Sequence, residues 1–274
     1  MLRKLLRRPN AMFGLTVTIA VVLLTTVGAW LTPYDPIKQD LSSSLRAPSR
    51  THPLGTDPLG RDVLSRIIYG SRISLFVGFA SVAVGIAVGG VLGLASGYLG
   101  GWIDLLLQRT VDIVMSFPSM VLALLIGSML GGGLTALIIA IGSYNVARFA
   151  RLIRSQVIQL KQEAYIEAER AIGSSALRII ACHLAPNLAM PVLIMATLRL
   201  SGAILIEASL SYLGLGVPPP TPTWGGIAAE GQNILLFAPW VSLFAGLVIM
   251  LAVLGFNLLG DGLRDIFDPR LRRS

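Results

Sequence analysis

Charge is scarce in this chain of 274 residues: only 13% are Asp, Glu, Lys or Arg, against roughly 25% in soluble domains. A globule of this composition has too little polar surface to stay dissolved, so the soluble class is set aside. Cysteine is nearly absent. The single Cys182 excludes an intrachain disulfide and, with no partner ligands nearby, a cysteine-based metal site. The two histidines, His52 and His183, fall on opposite sides of the expected membrane, so no metal site is assigned. Lysine occurs three times (Lys4, Lys38, Lys161), never within G-x-x-x-x-G-K-[ST], so the chain is not expected to bind ATP by itself. No nucleophile–base spacing is legible, and no catalytic residue is assigned. Few intramembrane acids and no visible inverted repeat weaken a proton- or sodium-driven carrier.

Apolar sequence fills the space. Hydrophobic residues make up 54% of the chain, with a mean hydropathy of +0.75, and a helix needs about 20 such residues to cross the hydrocarbon core. Ala11–Leu31 is the first span, read as a retained anchor rather than a signal peptide because of its length and the spans that follow. Leu75–Gly97 is the second. The uncharged stretch Ile113–Ala147 holds two more, divided at Gly131–Gly133, and Pro191–Leu213 and Trp240–Leu259 complete the set. The pattern predicts an all-α integral membrane protein with six transmembrane helices.

Six spans place both termini on one side. With the termini inside, fifteen Lys and Arg lie inside and six outside, with Arg199 within span five. That bias puts both termini in the cytoplasm. The first outer loop (Lys38, Arg46, Arg50, Arg61, Arg66, Arg72) is more basic than the rule prefers. The net charge of +8 gathers at the ends of apolar segments, which suits membrane lipids. No aromatic–basic surface for nucleic acid is present. The expected organisation is a tail, first helix and outer loop over 1–72, a five-helix core over 73–262 and a cytoplasmic tail over 263–274.

Span two carries Ser81, Gly85, Gly89, Gly93 and Gly97, a small-residue spacing that lets another helix approach closely, whether of this chain or another subunit. Span five carries Arg199 and Glu207, costly at membrane depth. They either line or support a water-filled pathway, or they are interhelical partners or snorkelling side chains. Eight residues apart on a helix is about 12 Å of rise, too far for the two to pair.

Between spans four and five lies "EAYIEAERAIGSSALRIIACHLAPNL" (Glu163–Leu188), charged and helix-prone. Span four continues into it, with Phe149, Ile153, Val157 and Leu160 on one face. A second helical piece ends at Gly173, Ser174 or Ser175 caps the next, and that one ends before Pro186. A stiff elbow results, able to transmit displacement or to lie passively on headgroups.

"EAERAIG" followed by "HLAP" resembles the EAA loop of ABC-importer permeases: Glu167, Ala168, Gly173 and Pro186 match in register, while Glu169, His183 and Ala185 depart from it. "HPLGTDPLGRDVLSRIIYGSRISL" (His52–Leu75), "EASLSYLGLGVPPPTPTWG" (Glu207–Gly225) and the stretch Ala238–Arg270 are similar to C-type permeases of dipeptide, oligopeptide and nickel importers. The resemblance implies a type I ABC-importer permease fold whose coupling loop, over 153–188, docks on an ATPase through Glu163, Glu167, Ala168, Gly173, Ser174, Leu177, His183 and Pro186. It implies a homologous permease partner, two ABC ATPase subunits holding MgATP, and an extracytoplasmic substrate-binding protein, in a prokaryotic cytoplasmic membrane. It implies no cofactor in this chain. The first outer loop and Val217–Pro222 would face the binding protein. The implied cargo is a di- or oligopeptide, with nickel or another small solute as the alternative. A self-sufficient carrier or channel, or a non-transporting scaffold, is the alternative of another class.

Overall fold

The computed structural model describes residues 9–30 and 32–267. Leu31, the expected end of span one, and the basic residues of both tails, Arg3 to Arg8 and Arg270 to Arg273, lie outside the described residues. Apart from one bridge between Thr56 and Asp62, the regular structure among the described residues is helical. In chain order the helices are α1 Pro9–Thr26, α2 Val63–Leu99, α3 Gly101–Ser116, α4 Ser119–Met129, α5 Leu134–Leu160, α6 Ala164–Ala171, α7 Ala176–Tyr212, α8 Trp224–Gln232 and α9 Pro239–Phe267. Helices α1, α2, α5, α7 and α9 are each long and apolar enough to cross a membrane, and α3 with α4 can supply a sixth span.

That pair is sharply bent rather than continuous. Helices α3 and α4 meet at 93°. Pro118 has no N–H to donate and forces Phe117 into extended backbone (φ −85, ψ 139), so the chain turns there. The charge-free stretch that suggested one straight helix starts inside α3 and hides the corner.

Helices α2 and α5 form the most closely packed pair, and the small-residue ladder explains it. A Cβ at Gly89 would lie 2.5 Å from the Val146 carbonyl oxygen, and one at Gly93 would lie 2.6 Å from that of Ala150. Gly85 abuts Asn145 and Gly97 abuts Val157. Phe149, Ile153 and Val157 are buried against this surface. The ladder's partner is thus a helix of the same chain. At about 1.5 Å per residue, the 37 residues of α2 extend beyond a roughly 30 Å hydrocarbon core.

Helix α7 departs from the expected break. It runs unbroken from Ala176 to Tyr212, through both Pro186 and Pro191. A π-helical segment at Ile179–Leu184, with Ala185 N–H reaching back to the Ile180 carbonyl, carries the helix past Pro186. Asn187 donates through Nδ2 to the His183 carbonyl at 2.7 Å, satisfying an acceptor in this stretch. The second half of the polar elbow, from Ala176, and the fifth span are therefore one continuous helix.

The segment joining α1 to α2 is folded, not loose. Asp62 caps α2 by accepting from Ser65 N–H at 2.8 Å and also meets His52 at 3.0 Å, and His52 stacks on Tyr34. Trp240, from α9, donates to the Thr56 carbonyl at 3.1 Å. Gly60, at φ +70, has no room for a side chain, since a Cβ would fall 1.7 Å from the Asp40 carbonyl oxygen.

Candidate functional site

The elbow is built on α6, whose one buried residue, Ile166, anchors it inward. Its carboxyl end closes in a left-handed turn. Gly173 takes φ +81, its N–H reaches the Arg170 carbonyl, and Ser174 N–H reaches the Glu169 carbonyl at 3.0 Å. Ser175, not Ser174, caps the following helix by accepting from Arg178 N–H. The Ser174 hydroxyl instead donates to the Glu169 carboxylate, which also faces His183 Nε2 at 3.4 Å. Tyr165 approaches the His183 ring, with 6.2 Å between centroids, and its hydroxyl accepts from Asn187 at 3.4 Å. The Ser174 hydrogen bond, aided by the charges of His183 and Arg178, holds Glu169 below the usual carboxylate range.

The eight residues expected to couple thus divide into two groups. Ser174 and His183 turn inward and brace α6 against α7 through Glu169. Glu163, Glu167, Ala168, Gly173, Leu177 and Pro186 are exposed. Beside them stands Ile172, 77% exposed, which with Leu177 at 79% makes an apolar pair on a polar element. The pattern match passed over Ile172 and treated Glu169 as a departure. The Glu169-x4-Ser174 spacing across a glycine turn was the available signal for the brace.

Three further ties weld the elbow to the bundle. Lys161, just past α5, donates to the Gly97 and Tyr98 carbonyls at 3.2 and 2.8 Å, satisfying the end of α2. Burial, and then the charge of Arg170, push this ammonium below the usual lysine range. Arg154 grips Asp104 of α3 with two parallel bonds of 2.6 Å, and Arg151 reaches Asp112 at 2.5 Å. These ties fix the end of α5 to α2 and α3, while α6 itself rests on α7 through Glu169 and His183 and on α2 through Arg170, which lies 5.8 Å over the Tyr98 ring.

Arg199 and Glu207 are not brought together. Glu207 is wholly buried; Ser211 donates to its Oε1 at 2.8 Å, and Oε2 has no hydrogen bond among the described residues. Arg199 is partly exposed, and its Nε is likewise unpartnered.

At the far end of α5 and α7 lies a charge cluster that spacing could not reveal. Asp57 is bonded by Arg61 Nε at 2.6 Å and by Arg66 Nη1, and both arginines reach Glu230 of α8, at 2.5 to 3.0 Å. Arg66 is 2% exposed and Glu230 31%. Both line a cavity of about 380 Å³ walled by Gly131–Gly133, Tyr212 and the Pro218–Pro222 turn. Arg72 caps α1 by donating to the Thr25 carbonyl at 3.0 Å.

Comparison with known proteins follows the same outline. Residues 89–273 match the family described as the binding-protein-dependent transport system inner membrane component, and residues 1–48 match the N-terminal transmembrane domain of oligopeptide transport permease C. A dipeptide transport system permease protein of Alkalihalophilus pseudofirmus is 43% identical over 98% of this chain and 89% of its own length. A glutathione transport system permease protein of Escherichia coli is 40% identical over 98% of this chain and 89% of its own length. The inward-facing MetNI methionine ABC transporter superposes with a TM-score of 0.55 at 19% identity, over 72% of this chain and 95% of that one, a likeness of fold. The chain belongs to the family of inner membrane components of binding-protein-dependent transport systems, as a permease of the oligopeptide C type.

Proposed function

We propose that this permease is one half of an ATP-driven importer of di- or oligopeptides. It would pair with a homologous permease and rest on two ATPase subunits that bind and hydrolyse MgATP, with both termini in the cytoplasm. A binding protein would deliver cargo to the opposite face. The observation that carries this reading is the elbow: exposed Ile172 and Leu177 stand on a turn braced by Glu169, Ser174 and His183, between the long helices α5 and α7. Closure of an ATPase pair beneath two such elbows would swing α5 and α7 as rods and open the cavity outward, a two-state motion biased by a ligand on another subunit.

Three of the six basic residues of the first outer loop have structural roles in the fold. Arg61 and Arg66 are neutralised by Asp57 and Glu230, and Arg72 serves as a helix cap. The folded segment before α2 and the Val217–Pro222 turn are the natural seat for the binding protein, and Glu207 supports the pathway wall from within the core. The peptide reading draws on the relatives named for dipeptide and glutathione transport.

The test is purification of the tagged chain from its own membranes in mild detergent, with every co-purifying chain identified and ATP turnover assayed. A second permease, ATPase subunits and a binding protein carrying peptide are expected. A nickel complex or another solute on the binding protein moves the cargo assignment, and a chain that transports alone without ATP overturns the importer. Within the complex, Gly173→Pro and Glu167→Arg are each expected to abolish substrate-stimulated ATP hydrolysis while membrane insertion stays normal. Proline cannot adopt the φ of +81 found at Gly173.

A further inference from the structure

Helix α6 meets α2 at one aromatic ring. Tyr98 is the next-to-last residue of α2. Lys161 Nζ lies 5.6 Å from the centroid of its ring and Arg170 Cζ lies 5.8 Å from it. A cation from the end of α5 and one from the last turn of α6 therefore share a single side chain. Both distances fall within the roughly 6 Å at which a ring face attracts a cation. Ile166, the buried anchor of α6, stands one turn before Arg170 and on the same face of the helix.

The two cations do different work. Lys161 also donates to the Gly97 and Tyr98 carbonyls, so the end of α2 is satisfied without Arg170. Among the described residues Arg170 makes no ion pair and no side-chain hydrogen bond; its guanidinium meets the Tyr98 ring. The neighbouring positive charges of Lys161 and Arg170 repel one another. What holds Arg170 in place is the face of the ring, with the carbonyl end of α2 behind it. Helix α6 is joined to α5 and α7 by short stretches of chain, whereas it reaches α2 only through this side chain.

We propose that Tyr98 is a positioning residue for energy coupling: its ring holds Arg170, and with it α6, against the inner end of α2. The elbow and α2 then move together when the ATPase pair closes. This rests on the ATP-driven importer reading above and not on the identity of the cargo. Near its other end, about 48 Å along the axis, α2 carries Arg66 of the outer charge cluster. One continuous helix thus joins the elbow to the face where the binding protein would arrive. With the ring contact gone, α6 keeps its brace to α7 through Glu169 and His183 but loses its hold on α2.

The experiment uses the intact complex in proteoliposomes and its binding protein as isolated with bound cargo. ATP hydrolysis is measured with and without the binding protein, and the ratio of the two rates is the readout. A side chain that only stabilised the fold would lower both rates together and leave the ratio alone. Tyr98→Leu is expected to cut the ratio about three- to fivefold, the scale of one exposed cation–π contact, and Arg170→Gln by a similar factor. Tyr98→Phe keeps the ring and should stay near wild type, and Arg170→Lys should recover part of what Arg170→Gln loses. The double variant, Tyr98→Leu with Arg170→Gln, should be no worse than either single one, because both remove the same contact. An unchanged ratio in Tyr98→Leu overturns the proposal, as does an equal loss in Tyr98→Phe. Losses that multiply in the double variant also overturn it, since the two residues would then act separately. If Tyr98→Leu does not assemble, the Arg170 variants decide: an unchanged ratio in Arg170→Gln, or no recovery in Arg170→Lys, sinks the idea. A wild-type complex whose hydrolysis is not stimulated by its binding protein overturns the importer reading, and this inference with it.

Discussion

Glu169 shows how one side chain can turn a recognisable motif into a working joint. It accepts from Ser174 across the Gly173 turn and faces His183 one helix on, so α6 and α7 keep a fixed angle. Its folded-state carboxyl titrates below its ordinary value of 4.5. The bracing is therefore complete above that value and is lost only as pH falls through the lowered one. Glu169→Gln keeps the shape and removes the charge. Substrate-stimulated ATP hydrolysis of the assembled complex is expected to fall several-fold in this variant while basal hydrolysis in the ATPase subunits persists. The wild-type carboxylate is charged throughout the neutral range, so Glu169 does not itself make the loss vary with pH there. Unchanged substrate-stimulated hydrolysis in Glu169→Gln would show that the charge is not what braces the turn.

At the scale of elements, helix contact is decided by what glycine omits. Gly89→Ala would drive a Cβ to 2.5 Å from the Val146 carbonyl, a backbone atom held in α5 that cannot swing aside. Overpacking of this kind costs about 1–3 kcal/mol. The expected result is a lower unfolding temperature for the purified complex and a weakened α2–α5 contact. Gly202→Ala is the control, since nothing lies within 4 Å of a Cβ there. If the two variants melt together, close approach along the ladder is not what holds the pair.

The same scale shows what the sequence could and could not reveal. Spans announced themselves, because a bilayer demands long apolar runs and this chain has little charge to interrupt them. The ladder was legible as spacing, but its partner was not, since spacing says nothing of what approaches. The corner at Phe117–Pro118 was hidden because hydropathy ignores the N–H that proline lacks. Pro186 misled in the other direction: it looked like a helix end, and a π-helical segment absorbs it. At Pro118 the local rule held and hydropathy did not see it, whereas at Pro186 the rule was overridden by hydrogen-bond geometry a few residues away.

For the molecule as a whole, the least legible feature is the ion cluster that ties the α1–α2 segment to α8. Arg66 and Glu230 are 164 residues apart, so no window along the chain could join them. The basic loop runs against the charge bias, and the folded chain gives two of its arginines, Arg61 and Arg66, acidic partners. Two carboxylates meet two guanidiniums, and Asp57 and both arginines are shut from water. Removing one partner from such a set leaves an uncompensated buried charge, which costs about 3–5 kcal/mol. Asp57→Asn is therefore expected to lower the unfolding temperature of the complex sharply, while Lys38→Ala, at an exposed position of the same segment, leaves it unchanged. Neutrality, rather than any single bond, is the operative quantity. A double variant, Asp57→Asn with Arg61→Met, restores one acid to one base around Glu230 and should recover part of the loss despite having fewer ion pairs. Thermal unfolding of the three variants in one detergent decides it. A double variant that melts below Asp57→Asn alone would mean that the individual bonds, and not the balance of charge, hold this end of the permease together.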